Sequence, residues 1–264
     1  MSLQKQIVWI TGASSGIGEA LAYAYSDKGV KLILSARRIN ELERVRENCS
    51  GNIEDIKILP LDLMDTGSME ENAELAMNMF GRIDVLINNG GISQRANAAE
   101  STMETIRDIM EVNFFGTVAL TKAILPYMIE KKSGHIVVIS SVMGKIGTRY
   151  RSAYAASKHA LHGWFDCLRQ EVHEYNINVT MVCPGYVKTN VSKNALTATG
   201  KKLNEMGDAH KKAMTPKEFA DRLLPKLARK KDEVYIGGIE ISAVYLKRFL
   251  PGLLNKILLR TKVT

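Results

Sequence analysis

Tyr154 and Lys158 stand four residues apart in the run Tyr154-Ala-Ala-Ser-Lys158. On a helix, residues i and i+4 share a face. A phenol with an unperturbed pKa of about 10 holds its proton too tightly to act as a base at neutral pH, and a neighbouring ammonium lowers that value. Lys158 can also reach a ribose. Upstream, Ser141 can donate a hydrogen bond to a substrate carbonyl and hold it against the phenol. A Tyr/Lys pair alone is as readily a plain surface pair on a helix. Its weight comes from a second motif, Thr11-Gly-Ala-Ser-Ser-Gly-Ile-Gly18. Glycines at 12, 16 and 18, with Ser14, Ser15 and Ile17 between them, allow a tight turn and close approach of backbone to a pyrophosphate. The helix that follows offers free N–H groups and a favourable dipole. The spacing is G-x-x-x-G-x-G and not the commoner G-x-G-x-x-G. A proton donor and a dinucleotide loop together imply a carbonyl reductase or an alcohol dehydrogenase.

Which dinucleotide is a matter of charge. The run Leu34-Ser-Ala-Arg37-Arg38 holds no Asp or Glu to bind the ribose 2′-OH of NAD. Arg37 and Arg38 suit the 2′-phosphate of NADP through charge-assisted hydrogen bonds. The alternative is a solvated pair opening a helix, although cations there face the wrong end of the dipole. Asp62 can accept from an adenine amino group, and it can equally be a turn acid.

These residues need elements to hold them. Short β-branched runs at 7–10, 31–35, 56–59, 85–87, 136–139 and 178–182 read as strands. Helical patterns at 17–28, 39–48, 68–80, 103–131 and 152–175 lie between them, the fourth with an interruption before Pro126. Alternation at this spacing predicts an α/β fold: a Rossmann-type, doubly wound parallel sheet with helices on both faces, in a single domain over 1–264. Ligands in such sheets bind beyond the C-terminal ends of the strands, where strand order reverses. Gly12, Arg37, Asp62, Asn88, Ser141 and Pro184 all follow strands, and that shared placement argues for one site.

The chain resembles the short-chain dehydrogenase/reductase family, in its large single-domain group. The matching motifs are Thr11 to Gly18, Asn88-Asn-Gly-Gly91, Asn113, Ile139-Ser-Ser141, Tyr154-x-x-x-Lys158 and Pro184-Gly185 with Thr189. They cover about residues 5 to 190 in the family's order. The resemblance implies that Tyr154 is the general acid/base and that Lys158 tunes it and binds ribose. It implies that Ser141, and not Ser140, positions the carbonyl, and that Asn113 supports a water in a proton relay. Cofactor contacts are implied for Asn88 and Gly90, for Asp62 with Leu63, and for Pro184, Gly185, Val187 and Thr189 at the nicotinamide end. The family pattern usually has alanine where this chain has Gly90. Leu34 to Arg38, Leu61-Asp-Leu63, Ser93-Gln-Arg95 and Ala156 to Leu161 resemble a membrane-associated branch. That branch includes the dehydrogenase/reductase member 7 type and, more distantly, the 11β-hydroxysteroid dehydrogenases. Its members often reduce lipophilic carbonyls and usually carry an N-terminal anchor, which is not seen in this sequence.

Composition narrows the alternatives. Lys and Arg exceed Asp and Glu by eight, and 6% of residues are aromatic. No RNA-binding or zinc-finger pattern accompanies that charge, so a nucleic-acid partner is not expected. Cys49, Cys167 and Cys183 form neither a disulfide framework nor a metal spacing, so no metal is expected and a reducing, cytoplasmic setting is. No run of about 18 uncharged apolar residues is expected to span a bilayer. Residues 190–214 are polar and lysine-rich, as in a substrate lid or a plain surface insertion. From 241 to 260, a wide apolar face alternates with Lys247, Arg248, Asn255, Lys256 and Arg260, and Pro251-Gly252 should split the helix. Such a basic amphipathic segment fits membrane-surface contact, packing over the substrate pocket, or a subunit contact in a homodimer or homotetramer. The expectation is an NADP(H)-dependent oxidoreductase acting on a carbonyl or secondary alcohol of a lipophilic substrate. Rival readings on the same fold are a catalytically idle dinucleotide sensor and a peripheral membrane scaffold.

Overall fold

The computed structural model describes residues 6–205 and 213–261. Within them, seven parallel strands form one sheet: β1 (Ile7–Thr11), β2 (Lys31–Ser35), β3 (Ile56–Ile58), β4 (Val85–Asn88), β5 (Gly134–Ile139), β6 (Ile177–Pro184) and β7 (Glu233–Ile236), in the order β3-β2-β1-β4-β5-β6-β7. The order reverses between β1 and β4, which pair directly through Val8–Val85, Trp9–Leu86 and Ile10–Ile87. Successive residues on a strand face opposite sides. Val8, Ile10, Leu32 and Leu34 therefore enter one core, and Ile7, Trp9, Ile33 and Leu86 enter the other. Both faces are covered, which is why these strands read as continuous apolar runs.

Helices α1 (Gly16–Ser26), α2 (Ile39–Glu47) and α3 (Met69–Phe80) follow the first three strands. After β4 come α4 (Met103–Met110), a π-helical turn over Glu111–Phe115, and α5 (Gly116–Lys131). The interruption of the long helix is thus at Asn113, and Pro126 lies inside α5, contrary to the break expected before that proline. Taken whole, Met103–Lys131 is long and apolar enough to cross a bilayer by length and composition, with a window of mean hydropathy 1.3. The expectation that the chain holds no such stretch is corrected to that extent. Here Leu120, Ile124 and Met128 are buried in the core, which accounts for the apolar character.

The last elements are α6 (Ser152–Glu171), α7 (Asn190–Lys193), α8 (Pro216–Ala228), α9 (Ser242–Phe249) and α10 (Pro251–Arg260). Neither α8 nor β7 is anticipated by the periodicity reading. Helix α8 nevertheless has a plain start signal: the Thr215 hydroxyl accepts from Glu218 N–H, the Glu218 carboxylate accepts from Thr215 N–H, and Pro216 opens the first turn. Phe219, Ala220 and Leu223 are buried in the core cluster that also holds Leu21 and Tyr25 of α1.

Two histidines lie in this core. His135 on β5 hydrogen-bonds the Thr180 hydroxyl at 2.8 Å through Nε2, and His162 on α6 lies 3.1 Å from the Ser140 hydroxyl. Burial lowers each pKa from 6.5 to about 4. The unfolded chain therefore binds more protons between those values, and stability falls as pH drops from about 6.5 toward 4. Urea melts at pH 4.5 should show a loss on the order of 2 kcal/mol for each histidine relative to pH 7. A His135→Gln variant should lose correspondingly less on acidification.

Candidate active site

The glycine loop sits at the β1/β4 reversal. Gly12 and Gly16 have φ values of +64° and +63°, a region in which a side chain is strained. A Cβ on Gly12 would lie 2.8 Å from Gly90 Cα, and one on Gly18 would overlap the Gly12 carbonyl. The loop is therefore closed against β4 and α1 with no space for side chains. Ser15 precedes α1 in extended conformation without capping it through its side chain, so the first N–H groups of the helix keep their donors for an anion.

What knits the loop is Asn89. Its Nδ2 donates to the carbonyls of Thr11 at 3.0 Å and Gly12 at 3.2 Å, while the Thr11 hydroxyl accepts from the N–H groups of Asn89 and Gly90, each at 3.0 Å. Asn88 is turned elsewhere: its buried amide donates to Thr121 on α5 at 2.9 Å. The side chain of Asn88 thus ties β4 to a helix. Gly90 stands against Leu63, and a Cβ there would come within 2.6 Å of Leu63 Cδ1. Alanine at this position would push that leucine aside, so glycine here is matched to where Leu63 lies.

A cleft of about 400 Å³ opens beside the loop, lined by Ser15, Gly16, Arg38, Arg44, Lys188 and Thr189 among others. Arg38 donates to the Ser14 hydroxyl at 3.1 Å. Arg37 is exposed at the end of β2. Arg44, which the sequence reading passes over, reaches the Ser14 carbonyl at 3.4 Å and is paired with Glu19 and Glu41 at 2.7 and 2.9 Å. Thr189 closes the cleft from the β6 side, since a Cβ on Gly16 would lie 3.1 Å from its methyl group. Asp62 Oδ1 accepts from Met64 N–H at 3.1 Å, the turn-acid alternative. These features fit a dinucleotide: a side-chain-free cradle, free N–H donors and a cationic margin.

Beyond the cradle lies the acid. Tyr154 is on the first turn of α6, with Lys158 one turn on and its Nζ 5.9 Å from the phenol ring centroid. Lys158 is 5% exposed and donates to the Ile139 carbonyl at 3.0 Å, at the end of β5. An ammonium carries three donors, which leaves capacity for ribose hydroxyls. Burial lowers its pKa from 10.5 to about 8, offset in part by Cys183. Burial raises the Tyr154 pKa, against the Ser141 hydrogen bond and the charge of Arg151, which lower it. The expected lowering of this phenol is corrected: desolvation outweighs the Ser141 hydrogen bond and the Arg151 charge, and its pKa lies above the ordinary value.

Ser141 heads the short turn after β5, its hydroxyl accepting from Met143 N–H at 3.1 Å. Ser140 faces the core and His162. Asn113 is fully buried in the π-turn. Its amide donates to the Ile92 carbonyl and to Ser157 Oγ, both at 2.9 Å, and accepts from Ile92 N–H at 2.8 Å. Its side chain therefore fixes the loop after β4 against α6. Arg151 donates to Ser93 Oγ at 2.6 Å and to the Gln94 carbonyl at 2.9 Å. The Gln94 side chain accepts from Ala153 N–H at 2.8 Å. These partners orient the start of α6, and nothing in their spacing marks them in the sequence.

Pro184 ends β6, and Gly185 N–H donates to Ile236 at 2.9 Å. The Glu240 carboxylate accepts from Tyr186 N–H at 2.9 Å and lies against Gly185, where any side chain would overlap it. Val187 is buried and bridges to Met214. Of the expected lid, residues 206–212 lie outside the described residues. Residues 195–203 fold back on the body: Arg95 N–H donates to Leu196 and Thr102 N–H to Ala198, at 2.8 and 2.9 Å.

Comparison with known proteins agrees with this geometry. The family model for the short chain dehydrogenases matches residues 6–199. The human dehydrogenase/reductase SDR family member 7 is 45% identical over 256 residues, spanning 94% of this chain and 75% of that protein. The Drosophila melanogaster dehydrogenase/reductase SDR family protein 7-like is 43% identical, spanning 95% and 78%. A solved short-chain dehydrogenase from Streptomyces avermitilis superposes with a TM-score of 0.79 at 29% identity, covering 96% of this chain and 94% of that one. With a matched family model and relatives 43% and 45% identical over most of its length, the chain belongs to the short-chain dehydrogenase/reductase family of oxidoreductases, which use a nicotinamide dinucleotide.

Proposed function

We propose that this protein is an NADP(H)-dependent carbonyl reductase for a lipophilic ketone or aldehyde, reversible to the secondary alcohol. The observation that carries the reading is the phenol of Tyr154, half-buried on α6 beside Ser141 with Lys158 Nζ 5.9 Å from its ring, at the mouth of the dinucleotide cradle. When bound, the nicotinamide supplies the hydride. Ser141 Oγ donates to the carbonyl oxygen and holds it. Tyr154 Oη gives that oxygen its proton. Lys158, anchored on the Ile139 carbonyl, keeps a positive charge under the phenol and stabilises the phenolate left behind. Desolvation raises the cost of that phenolate, which makes the Lys158 charge beside it part of the proton transfer. Tyr150, Tyr186 and Val191 are exposed on the segments that frame the site, which supports an apolar substrate. Screening NADPH oxidation against steroids, retinaldehyde, quinones, β-ketoacyl esters and sugars tests the reading. Turnover confined to the lipophilic carbonyls is expected, and turnover only of sugars would overturn the substrate class.

The NADP preference rests on Arg37 and on the Arg38 guanidinium at Ser14. A charge-assisted contact to a phosphate contributes about 1.5–3 kcal/mol, roughly 10- to 150-fold in affinity. Arg38→Ala should weaken NADPH by that order and leave NADH nearly unchanged. Steady-state kinetics with both cofactors decide this, and equal efficiency with NADH in the parent enzyme contradicts it.

A further inference from the structure

The C-terminal helices have two apolar faces, and only one is used. Inward, Leu254 is 2% exposed, Val244, Leu246 and Leu258 are half-buried, and the Leu259 carbonyl accepts from Arg149 at 3.3 Å. That side covers the loop leading into α6. Outward, Tyr245 and Phe249 share a face of α9, and Leu253 and Ile257 share a face of α10, with Leu250 between the helices. All five are exposed, Phe249 by 74%, and Ile239 at the root of the segment is exposed by 89%. Apolar surface gathered this way on one short segment marks a contact site.

Charge identifies the occupant. Lys247, Arg248, Lys256 and Arg260 are exposed on the same two helices, and no Asp or Glu occurs after Glu240. In a two-fold contact this patch would meet its own copy and set cations against cations. An anionic bilayer meets both demands at once: the headgroups take the lysines and arginines, and the acyl boundary takes the aromatic and aliphatic side chains. We infer that α9 and α10 form a docking surface for an anionic lipid membrane. It would hold the protein peripherally, with the covered loop before Tyr154 on the membrane side.

Sedimentation of the full chain with lipid vesicles tests this. The protein should pellet with phosphatidylcholine vesicles containing phosphatidylserine and stay in solution with phosphatidylcholine alone. Raising the salt until the Debye length falls from about 8 to about 3 Å should release much of it. Lys247→Glu with Arg248→Glu should weaken binding at least about tenfold, and Phe249→Glu with Leu253→Glu should do the same. Cofactor affinity and melting temperature, read on each variant, should be unchanged, which separates lost docking from lost folding. Equal binding to both vesicle types, or none to either, overturns the inference. Self-association in the absence of lipid that Phe249→Glu with Leu253→Glu abolishes, with no vesicle binding by the parent, overturns it in favour of a second copy.

Discussion

Replacing Tyr154 by Phe is expected to lower turnover by about 10²–10⁴-fold while cofactor affinity stays within a factor of about two. The ring would still pack where it does now, 5.9 Å from Lys158 Nζ, and only the proton donor would be gone. Ser141 can hold a carbonyl oxygen but offers no comparable acid, and His162 lies behind Ser140 in the core with its pKa pushed down to about 4. Steady-state turnover, with NADPH binding followed by fluorescence quenching, provides the check. Near-normal turnover by the Tyr154→Phe enzyme would show that the acid lies elsewhere.

Lys158→Met should separate function from stability. Holding this ammonium in a buried position lowers its pKa to about 8, a cost on the order of 3 kcal/mol to the folded state at neutral pH. Methionine removes that cost at similar length, while leaving the Ile139 carbonyl without its donor. The melting temperature should therefore be equal to the parent's or higher. Turnover should fall by about 10²-fold or more, and cofactor affinity by about tenfold, because charged hydrogen bonds to the ribose are lost. The sign of the pKa shift adds a second readout. In the parent, Lys158 loses its charge as pH rises through about 8, so cofactor affinity should decline above that value. In the methionine variant that limb should be flat. A destabilised variant with normal cofactor affinity would contradict both statements.

Much of this site is legible in the sequence because its chemistry depends on residue type and short spacing. Gly12, Gly16 and Gly18 stand out in the sequence because the first two take φ values that favour glycine and the third has the Gly12 carbonyl where a Cβ would sit. Tyr154 and Lys158 share a face by helical period alone. The seven-strand sheet follows from alternating apolar runs, apart from β7, whose four residues Glu233–Ile236 are too short and too mixed to stand out. Helix α8 is hidden for a different reason. Its pattern is broken by Pro225, and its start lies in the Thr215, Pro216, Glu218 cap, which a search for apolar periodicity passes over.

Other parts depend on where side chains turn. Asn88 and Asn89 are adjacent and identical in type, yet one bonds α5 and the other laces the glycine loop. Which does which follows from strand alternation at the last residue of β4, where Asn88 points into the core. Arg151 and Gln94 orient α6 through contacts 57 or more residues apart, with no local signature. The direction of the Tyr154 shift needs the burial around it, and i+4 spacing supplies only the cation. The two faces of the C-terminal helices are likewise one apolar pattern in sequence, and only the packing of Leu254 divides inner from outer.

The central claim is direct hydride transfer to a carbonyl at Tyr154. NADPH carrying deuterium at the transferable C4 position, incubated with a turning-over ketone, tests it in one experiment. One deuterium is expected at the carbinol carbon of the product, from the parent enzyme and at a far lower rate from Tyr154→Phe. Cofactor that binds but is never consumed, or an alcohol product without deuterium at that carbon, would contradict it.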